Sequence, residues 1–257
     1  MRIGRFLGIA ALVLPLSGGA AQAQLNESDS LRLQVRFTSA GSLLEGNVAR
    51  LLLVNKLELA RANETWGFSS RNDYQYGTTF HRRTENDVLS FNYLYYKPLA
   101  RVYPYLMVLT ETNWRRKIDF RYQVGPGLTL NLLARKAHIL KLSATVSYER
   151  TLYRDTTYED ERYNGSHTIE TMRLTGRLYG RHKLADDKLR VHYEFWFQQS
   201  LNYRPNYRYY SEAALELPIS KKVAFRLGAR YTYEHIELLG LKPYDLYATY
   251  GITLTNF

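Results

Sequence analysis

The sequence predicts an all-β fold, a single antiparallel transmembrane β-barrel with up-and-down topology and 12 strands. The first observation is a strict two-residue period, clearest at 223–233, where an apolar face alternates with a face that carries Arg226 and Arg230. The second is that no stretch after residue 23 approaches the twenty apolar residues of a membrane helix. The third is strand length, because many segments run for ten residues or more, as tilted strands that cross a bilayer do.

The first residues are typical of a secretory signal peptide. Arg2 and Arg5 form a basic start, an apolar core follows, and Ala21-Gln22-Ala23 is a cleavage site of small residues. The expected division is a signal peptide at 1–23 and an outer-membrane β-barrel at 24–257. The chain has no cysteine, so neither a lipid-anchored protein nor a disulfide-stapled domain is expected.

Alternation assigns the first half of the chain to six strands, with apolar residues expected against lipid and polar residues in the lumen. Asn55 interrupts the apolar face of the second strand, and in the fourth the apolar face opposes Ser90 and Asn92. The fifth strand is apolar on both faces, so its orientation stays open. The strands and their apolar sets are 31–38 (Leu31 to Phe37), 50–59 (Leu51 to Leu59), 66–76 (Trp66 to Tyr76), 89–95 (Leu89, Phe91, Tyr93, Tyr95), 103–111, and 118–132 (Ile118 to Leu132).

The second half gives six further strands by the same criterion. Their polar faces carry six of the predicted lumen arginines, Arg173, Arg177, Arg190, Arg208, Arg226 and Arg230. The strands and their apolar sets are 140–149 (Leu140 to Tyr148), 172–179 (Met172 to Leu178), 189–198 (Leu189 to Phe197), 207–217 (Tyr207 to Leu217), 223–233 (Val223 to Tyr233), and 244–257.

The predicted connections alternate in length. Those after even-numbered strands are short, at 61–64, 98–101, 134–137, 184–187 and 218–221. Most of those after odd-numbered strands are longer and more polar, at 39–47, 79–87, 111–117, 152–167 and 236–243, with 201–206 intermediate. Bacterial outer-membrane barrels have short periplasmic turns and long outer loops. The alternation therefore predicts the bacterial outer membrane as the location, with both termini in the periplasm.

The last residue is a candidate assembly signal. Many outer-membrane barrels end on an aromatic residue that the barrel-assembly machinery reads, and this chain ends on Phe257. Leu254, Ile252 and Tyr250 lie on the opposite face of the strand from Phe257, so a bulge or a variant signal is expected. The assembly machinery and outer-membrane lipid are the expected partners.

Two short motifs carry a family resemblance. Gly46-Asn47 opens the second strand, and Arg121-x-x-x-Gly125-x-Gly127 marks the sixth. With these the chain resembles, from about 46 to 149, a family of uncharacterised outer-membrane proteins, some of which are called salt-induced. The resemblance implies a β-barrel in the outer membrane and no established activity. Gly125 and Gly127 themselves are expected to relieve crowding or let the strand bend.

The polar faces together predict a basic lumen with thirteen positive and eight negative side chains. Two readings stay open. Rings of arginine or lysine select anions, whereas buried charges must be paired and can fill a barrel as a salt-bridge network. The candidate lumen-lining residues are Arg32, Arg36, Arg71, Asp73, Asp119, Arg121, Arg173, Arg177, Arg190, Glu194, Arg208, Glu212, Arg226 and Arg230, with Arg50, Lys56, Glu58, Lys141, Glu149, Glu216 and Glu234 completing the set.

The predicted outer loops are also basic. Arg82-Arg83, 114–117, Arg154 and Arg162 can hold lipopolysaccharide phosphates by charge-assisted hydrogen bonds, or can form an ordinary solvated surface. A nucleic-acid partner is not expected, because the arginines of this exported chain are spread at strand period. The acidic residues of the longest loop have no spacing of a known calcium motif, so no metal site is predicted.

No catalytic constellation stands out. The six histidines form neither the His-x-Ser pattern of outer-membrane lipases nor an HExxH zinc motif, so no catalytic residue and no cofactor is predicted. The leading hypothesis is a narrow charge-lined pore, with or without a preference for anions, or a structural envelope protein. The alternatives are a barrel enzyme acting on lipid or lipopolysaccharide and a soluble periplasmic sandwich.

Overall fold

The computed structural model describes residues 33–45, 49–135 and 137–255, and in them the predicted twelve-stranded closed barrel is confirmed. The predicted signal peptide at 1–23, Arg32, Gly46-Asn47 and Phe257 lie outside the described residues. The strands are β1 (Gln34–Leu44), β2 (Arg50–Ala62), β3 (Trp66–Thr79), β4 (Arg82–Tyr96), β5 (Val102–Asn113), β6 (Ile118–Ala134), β7 (His138–Tyr153), β8 (Thr168–Leu184), β9 (Leu189–Ser200), β10 (Tyr207–Pro218), β11 (Val223–Glu234) and β12 (Tyr244–Thr255), with one 3₁₀ turn at Glu161–Tyr163.

Every strand pairs antiparallel with its neighbours in the chain, and β1 pairs with β12 to close the ring. The barrel therefore has two mouths. The terminal mouth holds the two ends of the described chain and the connections that follow even-numbered strands. The loop mouth holds the other connections, of which 154–167 and 235–243 are the longest. No helical segment of the described chain has the length and apolar character needed to cross a membrane.

The seam between β1 and β12 is the shortest pairing in the described ring. It joins Arg36–Ala40 to Gly251–Thr255, whereas β1 is paired with β2 along the whole of Gln34–Leu44. Gly251 lies so close to β1 that an added Cβ would stand 2.2 Å from the carbonyl oxygen of Ser39. A glycine at this position is what lets the two terminal strands approach.

Three connections are shorter than the sequence predicts. One of them, expected over 111–117 between β5 and β6, is the four-residue turn 114–117. The β3–β4 connection, expected over 79–87, is a tight turn at Phe80 and His81, whose φ angles of 47° and 62° suit a type I′ hairpin. β1 likewise continues to Leu44, through part of the loop expected over 39–47. The sequence prediction ends these strands where their apolar residues end. In the structure the strands stay paired beyond that point, so their polar end residues belong to the sheet.

The faces of β4 are the reverse of the prediction. Phe91, Tyr93 and Tyr95 point inward and are buried, whereas Ser90 and Asn92 lie on the outward face. The reason is tertiary packing, since these rings form edge-to-face contacts with inward rings of β5, such as Tyr93 with Tyr105 and Tyr95 with Tyr103, both at 5.7 Å between centroids. With inward residues of β5, β9 and β10 they form an aromatic wall, which consists of Phe91, Tyr93, Tyr95, Tyr103, Tyr105, Met107, Leu109, Trp196 and Tyr210.

Asp119, predicted to line the lumen, is exposed instead. The pairing of β6 with β7 shifts register between Ile118 and Phe120, so one extra residue is inserted at this point. Ile118 is consequently buried, both Asp119 and Phe120 are exposed, and Arg121 returns to the interior. A strict two-residue period cannot anticipate such a bulge.

Candidate functional site

The candidate site is a layer of ion pairs that crosses the lumen half-way along the strands. Arg71 on β3 donates to Glu194 on β9 over 2.7 Å, although these strands stand on opposite sides of the twelve-stranded ring. Arg177 on β8 donates to the same carboxylate at 2.6 Å, and the indole of Trp196 does so at 3.0 Å. Three donors thus hold one buried carboxylate at the centre of the barrel.

Further pairs in this layer join other facing strands. Lys56 on β2 and Arg230 on β11 both contact Glu212 on β10, and Arg230 also contacts Asp73 on β3. The six residues Lys56, Arg71, Asp73, Glu194, Glu212 and Arg230 are called the ion-pair layer below. Their side chains are at most about one-sixth exposed. Charges that are buried to this degree are stable only when paired.

A second group of charges lies toward the loop mouth. Arg121 donates to Glu111 at 2.7 Å and to the carboxylate of Glu234 at 2.7 and 2.8 Å. Glu149 is fully buried and accepts from Arg173 at 2.9 Å and from Arg208. Arginines therefore surround each of these carboxylates along the interior of the barrel.

The charges nearest the terminal mouth complete the interior. Arg226 donates to Glu216 at 2.7 Å and to Glu212 at 3.0 Å, and Arg36 also contacts Glu216. Arg190 binds Asp187 in the β8–β9 turn through two hydrogen bonds of 2.7 and 2.9 Å. Partial burial opposes ionisation there, yet these bonds and one from Lys183 lower the pKa of Asp187.

Most of the predicted lumen residues are brought together by the fold. The exceptions are Asp119, which is exposed, and Arg32, which lies outside the described chain. The inward residues are Arg36, Arg71, Asp73, Arg121, Arg173, Arg177, Arg190, Glu194, Arg208, Glu212, Arg226 and Arg230.

Two features of the lumen are not predicted from the sequence. Glu85, assigned to a loop, is buried and pairs with Arg50 at 3.3 Å. The second feature is the aromatic wall: Phe91, Tyr93 and Tyr95 are predicted to face lipid because they alternate like any outward face, and the orientation of the fifth strand, which supplies Tyr103 to Leu109, is left open by the sequence. Arg71 lies over the ring of Phe91, 4.3 Å from its centroid, and Arg177 lies 5.2 Å from the ring centroid of Tyr93. Cation–π contacts thus join the aromatic wall to the charges.

The open space in the barrel is divided. A vestibule on the loop side, about 750 Å³ including the solvent space that opens from it, is lined by residues that include Asp73, Arg121 and Arg230. A second space, about 430 Å³ on the same measure, is lined by residues that include Arg71 and Glu194. Residues of the ion-pair layer line both spaces, so the layer stands between them.

Two loops pack together over the loop mouth. The backbone N–H of Glu159 donates to the carbonyl of Glu237 at 3.0 Å, and Tyr158 forms a β-bridge with Leu238. Arg116, in the turn 114–117 between β5 and β6, contacts Glu237 in one of these loops and, at 2.9 Å, Asp245 at the start of β12. Under them lies an apolar cluster of Ile118, Tyr153, Tyr158, Ile169, Ile236 and Leu238.

The loop carboxylates differ in electrostatic environment. Burial raises the pKa of Glu237 to about 8, although the guanidinium of Arg116 opposes the rise, and the carboxylate of Glu234 adds to it. Asp155 is partly exposed, and a hydrogen bond from Lys117 lowers the pKa of its carboxyl. The protonation of Glu237, unlike that of Asp155, therefore depends on its burial by the packed loops.

The described histidines have no serine among the contacts that the structure gives them. His182 contacts His138 at 3.3 Å and the hydroxyl of Tyr193 at 3.0 Å, and His192 contacts Glu216 at 3.2 Å. Within the residues that the structure describes, no three His, Cys, Asp or Glu side chains gather as a metal ion requires.

The family follows from a match along nearly the whole described chain. Residues 39–255 match the family model described as "Protein of unknown function, DUF481". The chain belongs to the DUF481 family. That description gives DUF481 proteins no activity, and no match is found among curated proteins.

Several solved structures are similar to the DUF481 barrel. One is the NanC porin, with 14% identity and a TM-score of 0.53, over 88% of this chain and 100% of NanC. Another is the translocator domain of the autotransporter NalP from Neisseria meningitidis (12% identity, TM-score 0.48, 86% and 87% covered). A third is an anion-selective porin from Comamonas acidovorans (9% identity, TM-score 0.37, 87% and 98% covered). The NanC comparison shows that this DUF481 chain shares the fold of that porin.

Proposed function

We propose that the protein is an integral barrel of the bacterial outer membrane whose lumen is a narrow passage for small anions. The observation that carries this proposal is the ion-pair layer, in which Arg71 and Glu194 meet across the lumen. Because salt bridges occupy the centre of the barrel, they exclude large solutes. A small ion can pass only by exchanging places with a paired side chain.

Unused arginine donors support the preference for anions. Both Arg173 and Arg208 are buried beside Glu149, yet Nε of Arg173 and Nη1 of Arg208 have no hydrogen-bond partner in the structure. A buried N–H without a partner is costly, and a passing anion would satisfy it. Arginine-lined constrictions select anions by the same interaction.

The conductance of the refolded mature protein in a planar bilayer tests the proposal. With unequal salt baths, we expect small discrete openings and a reversal potential of the sign set by the anion. Replacing both Arg71 and Glu194 by alanine removes one crossing of the lumen without changing net charge, so the conductance should rise.

The control is a second ion pair of the same types on the outward face. Arg150 and Glu170 lie 3.4 Å apart, with side chains that are 43% and 51% exposed. Their double alanine variant should leave the conductance unchanged. Cation preference would contradict the proposal. Silence in both the parent protein and the Arg71/Glu194 double variant would instead favour a structural envelope protein.

The proposed orientation puts the terminal mouth in the periplasm and the loop mouth outside, with the barrel-assembly machinery reading Phe257. The loop mouth also offers a site for lipopolysaccharide phosphate. The exposed ring of Trp114 lies between the guanidiniums of Arg83 and Arg154, at 3.9 and 4.4 Å. Replacing both arginines by alanine should lower the amount of lipopolysaccharide that purifies with the protein.

We further propose that the barrel has no catalytic activity, since the histidine contacts described above provide no activated serine nucleophile. Hydrolysis of phospholipid or lipopolysaccharide by the purified barrel would contradict this. The resemblance to salt-induced proteins adds the proposal that synthesis rises in high salt. Transcript levels in low-salt and high-salt medium test it.

A further inference from the structure

The outward surface of the barrel differs between its two halves. Around β6 to β12 the outward residues at mid-strand are mostly apolar, with Ser211 as an exception; Val146, Leu174 and Leu227 among them are 43–45% exposed. Around β1 to β4 the corresponding surface carries hydroxyl and amide side chains. These are Ser39, Asn55, Ser70, Asn72, Ser90 and Asn92, called the polar patch below.

Four residues of the polar patch form a closed ring of hydrogen bonds. Asn72 Nδ2 donates to Ser70 Oγ at 2.9 Å, and Ser70 Oγ donates to Asn92 Oδ1 at 2.8 Å. Asn92 Nδ2 donates to Ser90 Oγ at 3.0 Å, and Ser90 Oγ donates to Asn72 Oδ1 at 2.7 Å. Beside the ring, Ser39 donates to Asn55 Oδ1 at 2.9 Å.

The amide groups of Asn72 and Asn92 are only partly used by the hydrogen-bonded ring. An asparagine amide has two N–H donors and an oxygen with two lone pairs. The ring uses one N–H of Asn72 and of Asn92, and one lone pair of each oxygen. Each amide can therefore still donate and accept one hydrogen bond from the outward side.

The polar patch lies at a depth where lipid cannot satisfy these groups. Trp66 and Tyr96, with ring centroids 5.2 Å apart, form an outward aromatic pair at the terminal end of β3 and β4, as is typical of a membrane interface. Asn72 is six residues further along β3, which corresponds to roughly 14 Å of depth for a strand tilted by about 45°. That is close to the middle of a hydrocarbon core about 30 Å thick.

We propose that the polar patch is a docking surface for a second copy of this chain. The remaining groups include both donors and acceptors, so the patch is complementary to itself and suits a two-fold contact in which each residue meets the same set on its partner. Hydrocarbon chains offer no such partners, and an unsatisfied polar group among them is costly. The inference rests on the proposed membrane location but not on conduction.

Cysteine cross-linking tests the proposal directly, because the chain has no cysteine of its own. Single variants Ser39→Cys, Ser90→Cys and Thr110→Cys sample the patch and its β5 border, where Thr110 pairs with Ser90. Matched controls are Val146→Cys and Leu174→Cys, on the apolar half. After oxidation in the native membrane, at least one patch variant should give a disulfide-linked dimer, and neither control should.

Other occupants of the patch are separate outcomes. Monomers at all three patch positions would overturn the proposal, and so would cross-links to a different protein or equal dimer formation by the controls. Patch thiols that react with a lipid-soluble maleimide but form no dimer would mean that lipid covers the patch.

A second measurement does not depend on thiol geometry. Asn72→Leu with Asn92→Leu keeps the branched shape of each side chain but removes the amides, so the purified protein should change from dimer to monomer by light scattering. The variant should still be folded, with the same thermal unfolding midpoint as the parent protein. A dimer that persists would overturn the proposal. If alkaline carbonate extracts the parent protein from membranes, the membrane location has failed instead, so the two failures are distinguishable.

Discussion

Glu194→Gln is the substitution that most directly tests whether the ion-pair layer holds the barrel together. The carboxylate is 6% exposed and accepts from Arg71, Arg177 and Trp196 at 2.7, 2.6 and 3.0 Å. Glutamine keeps one acceptor oxygen but removes the negative charge that two buried guanidiniums share. Breaking a buried ion pair in this way costs about 3–5 kcal/mol. We expect the free energy of unfolding to fall by about 3 kcal/mol, because the amide retains part of the hydrogen bonding.

Reversible unfolding by urea from lipid vesicles measures the change, with Trp196 beside the substituted residue as one reporter. The midpoint should fall while the slope stays constant, because the surface exposed on unfolding is unchanged. Glu170→Gln is the control, since its pair with Arg150 is half-exposed and such pairs contribute about 0–1 kcal/mol. If both variants lost the same small amount of stability, the layer would not be stabilising the barrel and the reasoning would be refuted.

Three further predictions concern the wall and the loops. Leu227→Arg, on the outward face of β11, should lower stability in vesicles by about 2–4 kcal/mol, whereas Leu239→Arg in an exposed loop should leave the urea midpoint unchanged. Gly125→Ala should cost about 1–3 kcal/mol by overpacking, because its Cβ would lie 2.0 Å from a backbone oxygen of β7, while Gly176→Ala, with nothing within 4 Å, should be tolerated in the same assay. Burial raises the pKa of Glu237 to about 8 from its ordinary 4.5. Between these two pH values the packed loop binds a proton that the released loop does not. Loop packing should therefore weaken as pH rises from 4.5 to 8. Hydrogen-exchange protection factors for the loops should fall over that range, and the fall should disappear in Glu237→Gln.

The fold could be predicted from the sequence wherever one strand face met lipid and the other met charge. The strand from Val223 to Glu234 is such a case, because arginines and apolar residues occupy opposite faces along its whole length. The prediction failed at β4, where both environments are chemically mixed. There Phe91 faces an aromatic lumen and Asn92 faces outward. Alternation therefore predicted the strand correctly but assigned its two faces to lipid and lumen the wrong way round.

The candidate site could be predicted as a set of charges but not as a set of contacts. The two-residue period places Arg71 and Glu194 on inward faces, and a ring of twelve up-and-down strands puts β3 opposite β9. The period does not give the depth of each side chain along the barrel axis, which depends on the register between strands. Asp119 illustrates a second limit, since a single inserted residue at a bulge reverses the side on which a side chain emerges.

The sheet closes where the first and last strands of the described chain meet. Arg36–Ala40 pairs with Gly251–Thr255 across this seam, whereas every other pair of neighbouring strands in the described ring is also consecutive in the chain. The seam therefore cannot form until strands from opposite ends of the sequence have met. Until then β1 and β12 are edge strands, and their backbone groups can join another sheet. The exposure of this barrel to misassembly is thus concentrated at one line along its wall.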